Sequence, residues 1–156
     1  MKSDFREVKL AELSDIQVDY FIAPSKTVEY RDMMIIKYSG EYGFGSGGNS
    51  DAVYMKAMGR AALEAWKPDA IILDWSDLKY EWGDMLEMTL DIDTGCCQPA
   101  LPLAVIVGPP CEEAVRTLLL GINSDEGLET IEWVFKNKDK AIDYIEQQLQ
   151  KAGSYK

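Results

Sequence analysis

Apolar and polar positions along the chain change rhythm, and the changes mark its elements. QVDYFIA (residues 17–23) reads as a strand, and TVEY (27–30) and MMIIKYSG (33–40) read as two further β stretches separated by Arg31-Asp32. They are rich in β-branched, Met and aromatic residues, so a hairpin is expected between the last two. A short helical pattern surrounds Val8 to Leu13. The period then lengthens. In NSDAVYMKAMGRAALEAW (49–66), Tyr54, Met58, Ala61, Ala62 and Ala65 fall at helical spacing behind an Asn/Ser cap, and Lys67-Pro68 closes the helix.

From there strands and helices alternate. AIILDW (70–75) is a continuous apolar run typical of a buried strand, DMLEMTLDI (84–92) a second, shorter helix, and LPLAVIVG (101–108) another buried strand. A helix follows from near Pro110, a favoured first-turn residue, to Gly121. TIEWVF (130–135) is a further strand, and NKDKAIDYIEQQLQKA (137–152) a closing helix capped by Asn137 that would bury Ala141, Ile142, Ile145 and Leu149. Nearly all-apolar strands alternating with helices predict a single-domain α/β protein with a mainly parallel four-stranded sheet and helices on its faces. N-terminal antiparallel edge strands are added to it. Residues 1–32 form the extension and 33–156 the α/β body, together one globular unit.

The loops at the strand C-termini, where such sheets meet their ligands and partners, are 40–50, 74–84, 108–112 and 136–138. The first contains GFGSGG (43–48), a G-x-G-x-x-G match between a strand and a helix, with Asp74 at the end of the next strand where a ribose-binding carboxylate would stand. Against a dinucleotide site, the strand ends well before Gly43 and the helix starts after Gly48. A loop opening onto a helix is the simpler expectation. DIDTG (91–95) holds carboxylates at i and i+2, but it lacks the ligand spacing and closing Glu of a calcium loop, and Gly95 fits a left-handed helix cap.

Composition narrows the chemistry. With 156 residues, 47% hydrophobic and 28% charged, the chain can bury a core of normal size. There is no histidine, which removes the usual neutral-pH base, the commonest zinc ligand and any Ser-His or Cys-His pair. Cys96, Cys97 and Cys111 form no C-x-x-C pair, so reduced thiols are expected, with no metal and no cofactor. Cys111 falls in a first helical turn, where the dipole favours thiolate; packing remains its default role. The net charge of -11 disfavours nucleic acid and anionic membranes and suits a basic protein partner, with self-association left open. No long apolar run follows the charged N-terminus, so the expected location is cytoplasmic.

The loop of 74–84 carries the most informative side chains. Tyr80 and Trp82 stand among acidic residues, a combination suited to an interface anchor. Asp74, Asp77, Tyr80, Glu81, Trp82 and Asp84 are therefore the candidate partner-binding residues. No catalytic residue is assigned.

IILDWSDLKY and VFKNKDKAIDYIEQQL, with the order of elements from Met33 to Leu149, resemble the STAS domain, the sulfate-transporter and anti-sigma-factor-antagonist family. The resemblance implies a small regulatory scaffold that presents a loop and a helix to proteins. Phosphorylation-switch members follow this passage with Asp-Ser, whereas here Trp82 and Gly83 fill those places, so the kinase-switch role does not carry over. A variant within this class is an acidic immunity or antagonist protein facing a basic toxin. Gly83-Asp84-Met85 and Val107-Gly108 also resemble the two oxyanion turns of crotonase-like enzymes, but Pro109 and Pro110 have no N–H to donate. A degenerate crotonase-like or nucleotide-binding enzyme is the competing class.

Overall fold

The computed structural model describes residues 4–93 and 100–153. Five strands, β1 (Gln17–Pro24), β2 (Asp32–Glu41), β3 (Ala70–Lys79), β4 (Leu103–Ile106) and β5 (Val134–Phe135), form one sheet in the order β1-β2-β3-β4-β5. β1 is antiparallel to β2, and all other neighbours are parallel. The α/β expectation holds, with one antiparallel edge strand on a parallel sheet of four.

Two apolar layers explain the arrangement. Met34, Ile36 and Tyr38 of β2, Ile71, Leu73 and Trp75 of β3, and Val105 of β4 face a large core. α1 (Asn49–Trp66), the 3₁₀ segment Asp84–Asp91 and α2 (Glu112–Leu120) close that side. The alternate residues Met33, Ile72, Ala104 and Ile106 face a smaller core under α3 (Lys138–Gly153), which contributes Ala141, Ile145 and Leu149; Ile142 is half-buried. Because both faces of β3 and β4 are covered, their sequences lose the polar alternation of a one-sided strand. Asn137 caps α3 as expected, its Oδ1 accepting from Asp139 N at 2.8 Å and Lys140 N at 3.2 Å.

Several expectations need correction. TVEY is not a strand: Ser25–Arg31 is the turn joining β1 to β2, so the hairpin partner of MMIIKYSG is QVDYFIAP. Ser25 and Thr27 are drawn from β pairing by the Glu146 carboxylate on α3, which accepts from Ser25 Oγ (2.6 Å), Lys26 N (2.9 Å) and Thr27 Oγ1. The helix of 84–92 is a 3₁₀ segment, the N-terminal helical pattern is a turn at Leu10–Glu12, and β5 keeps only Val134 and Phe135 of TIEWVF.

α1 also turns a different face inward. Its buried residues include Ala52, Met55, Gly59, Ala62 and Leu63, so of the expected set only Ala62 is fully buried. The apolar positions of this helix span more than one stripe, and packing selects the one that lets the helix sit close to the sheet. A Cβ at Gly59 would lie 3.0 Å from Tyr38 Oη and 3.3 Å from Ile92 Cγ2. Gly95, Cys96 and Cys97, with the cap and thiol readings attached to them, lie outside the described residues.

Candidate functional site

The expected loop of 74–84 is strand as far as Lys79, and this end of β3 carries a bulge. Lys37 and Ser39 of β2 pair with Asp74 and Asp77, so Tyr38 opposes both Trp75 and Ser76. The extra residue turns Trp75 and Leu78 into the same core and leaves both carboxylates on the α3 side of the sheet. There Asp74, nearly buried, accepts from Ser76 N (2.9 Å) and Ser76 Oγ (2.6 Å), while Asp77 pairs with Lys37 at 2.8 Å. The hydrogen bond that Lys37 donates to Asp77, then the charge of Asp77, with Asp74 and Asp19 adding, raises the Lys37 pKa above the usual lysine range.

The other candidate residues lie past the strand end, on the α1 and α2 side. Tyr80 is buried, its ring edge-on to Tyr42 with centroids 5.2 Å apart and its hydroxyl donating to the Gly83 carbonyl. It therefore shapes the loop from inside. Glu81 and Trp82 face solvent, Trp82 being 60% exposed. The structure thus divides the six: Asp74 and Asp77 on one side of the sheet, Tyr80, Glu81 and Trp82 at its end. For Asp84 the backbone opens the 3₁₀ segment.

Trp82 rests on the glycine loop. Gly45 N donates to the Trp82 carbonyl at 2.9 Å, Phe44 lies against the indole with centroids 5.5 Å apart, and a Cβ on Gly45 would fall 2.5 Å from Trp82 Cζ3. Two further amides of the loop are also engaged by the chain. Gly43 N donates to Asp51 Oδ2 (2.8 Å), and Gly47 N to the Phe44 carbonyl (3.1 Å). Asp51 in turn accepts from Ser14 Oγ, tying the N-terminal segment to the start of α1. A pyrophosphate would have to compete with these internal partners for the amides.

Facing Trp82 across a cleft of about 570 Å³ stands the start of α2. Pro109, Pro110, Ala114 and Leu118 supply the apolar wall, and Glu81 and Glu113 stand at the rim. Tyr80 N donates to the Pro110 carbonyl (3.2 Å), joining the two walls at their base. Gly108 is required there because a Cβ would sit 2.4 Å from the Ser76 carbonyl oxygen. Glu113 is held by Arg116 (Nη2 to Oε1, 2.7 Å), whose guanidinium also donates to the Ser124 carbonyl at 2.9 Å.

No family model matches the chain, and no curated protein sequence is significantly similar to it.

Cys111, at the foot of the α2 wall, is buried, and its thiol donates to the Trp75 carbonyl at 3.2 Å. Burial, followed by the charges of Glu112 and Asp74, pushes its pKa up to about 11 against the lowering effect of the Gly108 backbone. It is a neutral packing group at neutral pH. The α2 wall and the Phe44-Gly45 support are the parts that sequence reasoning missed. Pro109-Pro110 and GFGSGG are visible as loops at the right sheet end, but nothing in their spacing says that one faces Trp82 and the other carries it.

Proposed function

We propose that the protein is a non-catalytic, regulatory binding module that takes a segment of a protein partner into the cleft between the Tyr80–Gly83 loop and α2. The observation that carries this reading is Trp82: its indole is fixed from below by Gly45 and Phe44, yet most of it faces solvent beside an apolar wall. A rigid, amphipathic ring of this kind buries a large area on binding with little further loss of side-chain freedom. Because Glu81 stands at the rim and the chain carries a net charge of -11, the favoured partner presents an apolar or aromatic side chain flanked by Lys or Arg. A basic toxin held by an acidic antagonist is one instance of this class. The antiparallel edge strand, the parallel strands and the helices between them support the STAS-like reading, with Trp82 and Gly83 replacing a phosphorylatable switch.

Trp82→Ala tests the proposal. It should cost the isolated fold roughly 1 kcal/mol, well short of the roughly 3–5 kcal/mol of a buried aromatic, because over half of the side chain is already in water. Partner binding should weaken by about 2 kcal/mol or more. Wild-type and Trp82→Ala baits exposed to source-cell lysate, followed by binding kinetics with the captured protein, measure both effects. Equal capture by the two baits would remove the cleft from the function. A thermal shift with NAD or an acyl-CoA would favour the enzyme class instead.

A further inference from the structure

We infer that the protein forms a two-fold dimer in which the free edge of β1 pairs with β1 of a second copy and the adjoining flank of α1 packs against its counterpart. Among the described residues no strand pairs with the outer edge of β1. Eight residues of strand present about 27 Å of backbone donors and acceptors there. Exposed edges are ordinarily guarded by shortness, bulges, charges or proline. The same sheet guards its other edge by shortness, since β5 has two residues. β1 has little of this protection: its register with β2 is unbroken, Asp19 is its one charge, and Pro24 comes only at its end. Tyr20, Phe21 and Ile22 are 36%, 55% and 43% exposed.

The α1 flank continues this surface. Tyr20 Oη donates to the Met58 carbonyl at 2.8 Å, fixing the helix beside the edge strand. Tyr54, Met58, Ala61 and Ala65 share one stripe at spacings of four, three and four. The first two are half-buried and the alanines exposed. This is the stripe whose periodicity predicts burial and which the monomer covers only in part.

Charge decides the occupant. A second copy brings its own net charge of -11, so two chains can meet closely only across a surface without carboxylates. The stripe and the β1 residues Val18, Tyr20 and Ile22 that share its side of the sheet contain none. An antiparallel β1 pair with its two-fold axis near Tyr20 and Phe21 sets Asp19 opposite the apolar residues 21–23 of the other copy, away from its own twin. A basic partner finds a single carboxylate on β1, Asp19, which already accepts from the Gln17 side-chain amide at 3.0 Å. Size is also sufficient. A face about 27 Å long and roughly 20 Å deep, one strand beside one helix, is on the order of 500 Å² per copy. The two copies together reach the ~1,000 Å² of a specific interface. The interface is isologous and leaves the Trp82 cleft, at the strand ends, open.

Sedimentation equilibrium of the full chain between about 1 and 100 µM is expected to show a monomer–dimer equilibrium, with amide exchange of residues 17–24 slowing as concentration rises. Phe21→Lys on the strand and Ala61→Arg on the helix replace exposed residues, so each should fold with an unchanged circular-dichroism spectrum. Each should raise the dimer Kd at least about tenfold, whereas Trp82→Ala should leave it unchanged. A wild-type chain that stays monomeric to about 100 µM would overturn the inference. So would a dimer insensitive to both substitutions, or an edge that pairs only with a strand of another protein.

Discussion

At Gly45 a missing side chain positions the largest one in the site. Its φ of +59° lies where L residues are strained, and the space a Cβ would enter is occupied by the Trp82 ring at 2.5 Å. A glycine in an unconstrained loop would tolerate alanine within about 1 kcal/mol; here Gly45→Ala should cost roughly 1–3 kcal/mol, combining backbone strain with displacement of the indole. The substitution should also weaken partner binding although Gly45 contacts only the back of Trp82. Denaturant melts together with the tryptophan emission difference between Trp82 and Trp82→Phe backgrounds check this; an unmoved indole in a fully stable variant would contradict it. The G-x-G-x-x-G pattern in the sequence reports only that the chain needs conformational freedom and close approach. What approaches, the indole of a distant loop, is a property of the fold. Cys111 gives the reverse case: its first-turn position suggests an activated thiolate, and burial against Trp75 reverses the sign.

The elements with long apolar patterns, the covered strands β2 and β3 and the one-sided helices α1 and α3, are legible from the sequence nearly to their ends. Those shaped by one distant partner were not. TVEY has β propensity, yet its own Thr27 and the preceding Ser25 and Lys26 serve Glu146 of α3. Burial alone would raise the pKa of that carboxyl; the hydrogen bonds from Ser25, Thr27 and the backbone amides of Lys26 and Thr27 outweigh it and hold it below the usual glutamate range. A carboxyl depressed on folding contributes stability that is fully present above the unfolded value and is lost as pH falls through the folded one. The clasp should therefore support the fold at neutral pH and release it below about pH 4. Glu146→Gln should cost about 2 kcal/mol at neutral pH by weakening charge-assisted hydrogen bonds. It should also flatten the acid limb of the stability curve, so that the two proteins converge as pH falls. Urea melts across that range measure both. A constant difference from neutral to acid pH would show that the clasp does not titrate with folding. The misassigned face of α1 has another origin: its apolar residues fit more than one stripe, and only the Gly59 approach to Tyr38 and Ile92 chooses between them.

For the whole molecule, the net charge of -11 gives the two proposed associations opposite salt dependences. A basic segment entering the cleft beside Glu81 is drawn in by the full field of the chain, so its association rate should fall steeply as salt rises and screens that field within a Debye length of about 10 Å at 0.1 M and 3 Å at 1 M. Two copies meeting through β1 and α1 gain contact at an uncharged strip but bring like-charged bodies together. Salt should then tighten the dimer over the same range by screening their repulsion and strengthening apolar burial. Glu81→Lys separates the two effects, because it removes a rim charge from the cleft while lying at the sheet end, away from the β1 edge. The variant should slow partner association and flatten its salt dependence. It should change the dimer constant only slightly, through the small reduction in net charge. Stopped-flow association rates and sedimentation equilibrium at about 0.05 and 0.5 M salt make the comparison. Opposite slopes are the expected result. Parallel slopes would mean that both events use the same acidic surface, against the placement of Trp82 past the end of β3 and of Tyr20 in the middle of the β1 edge.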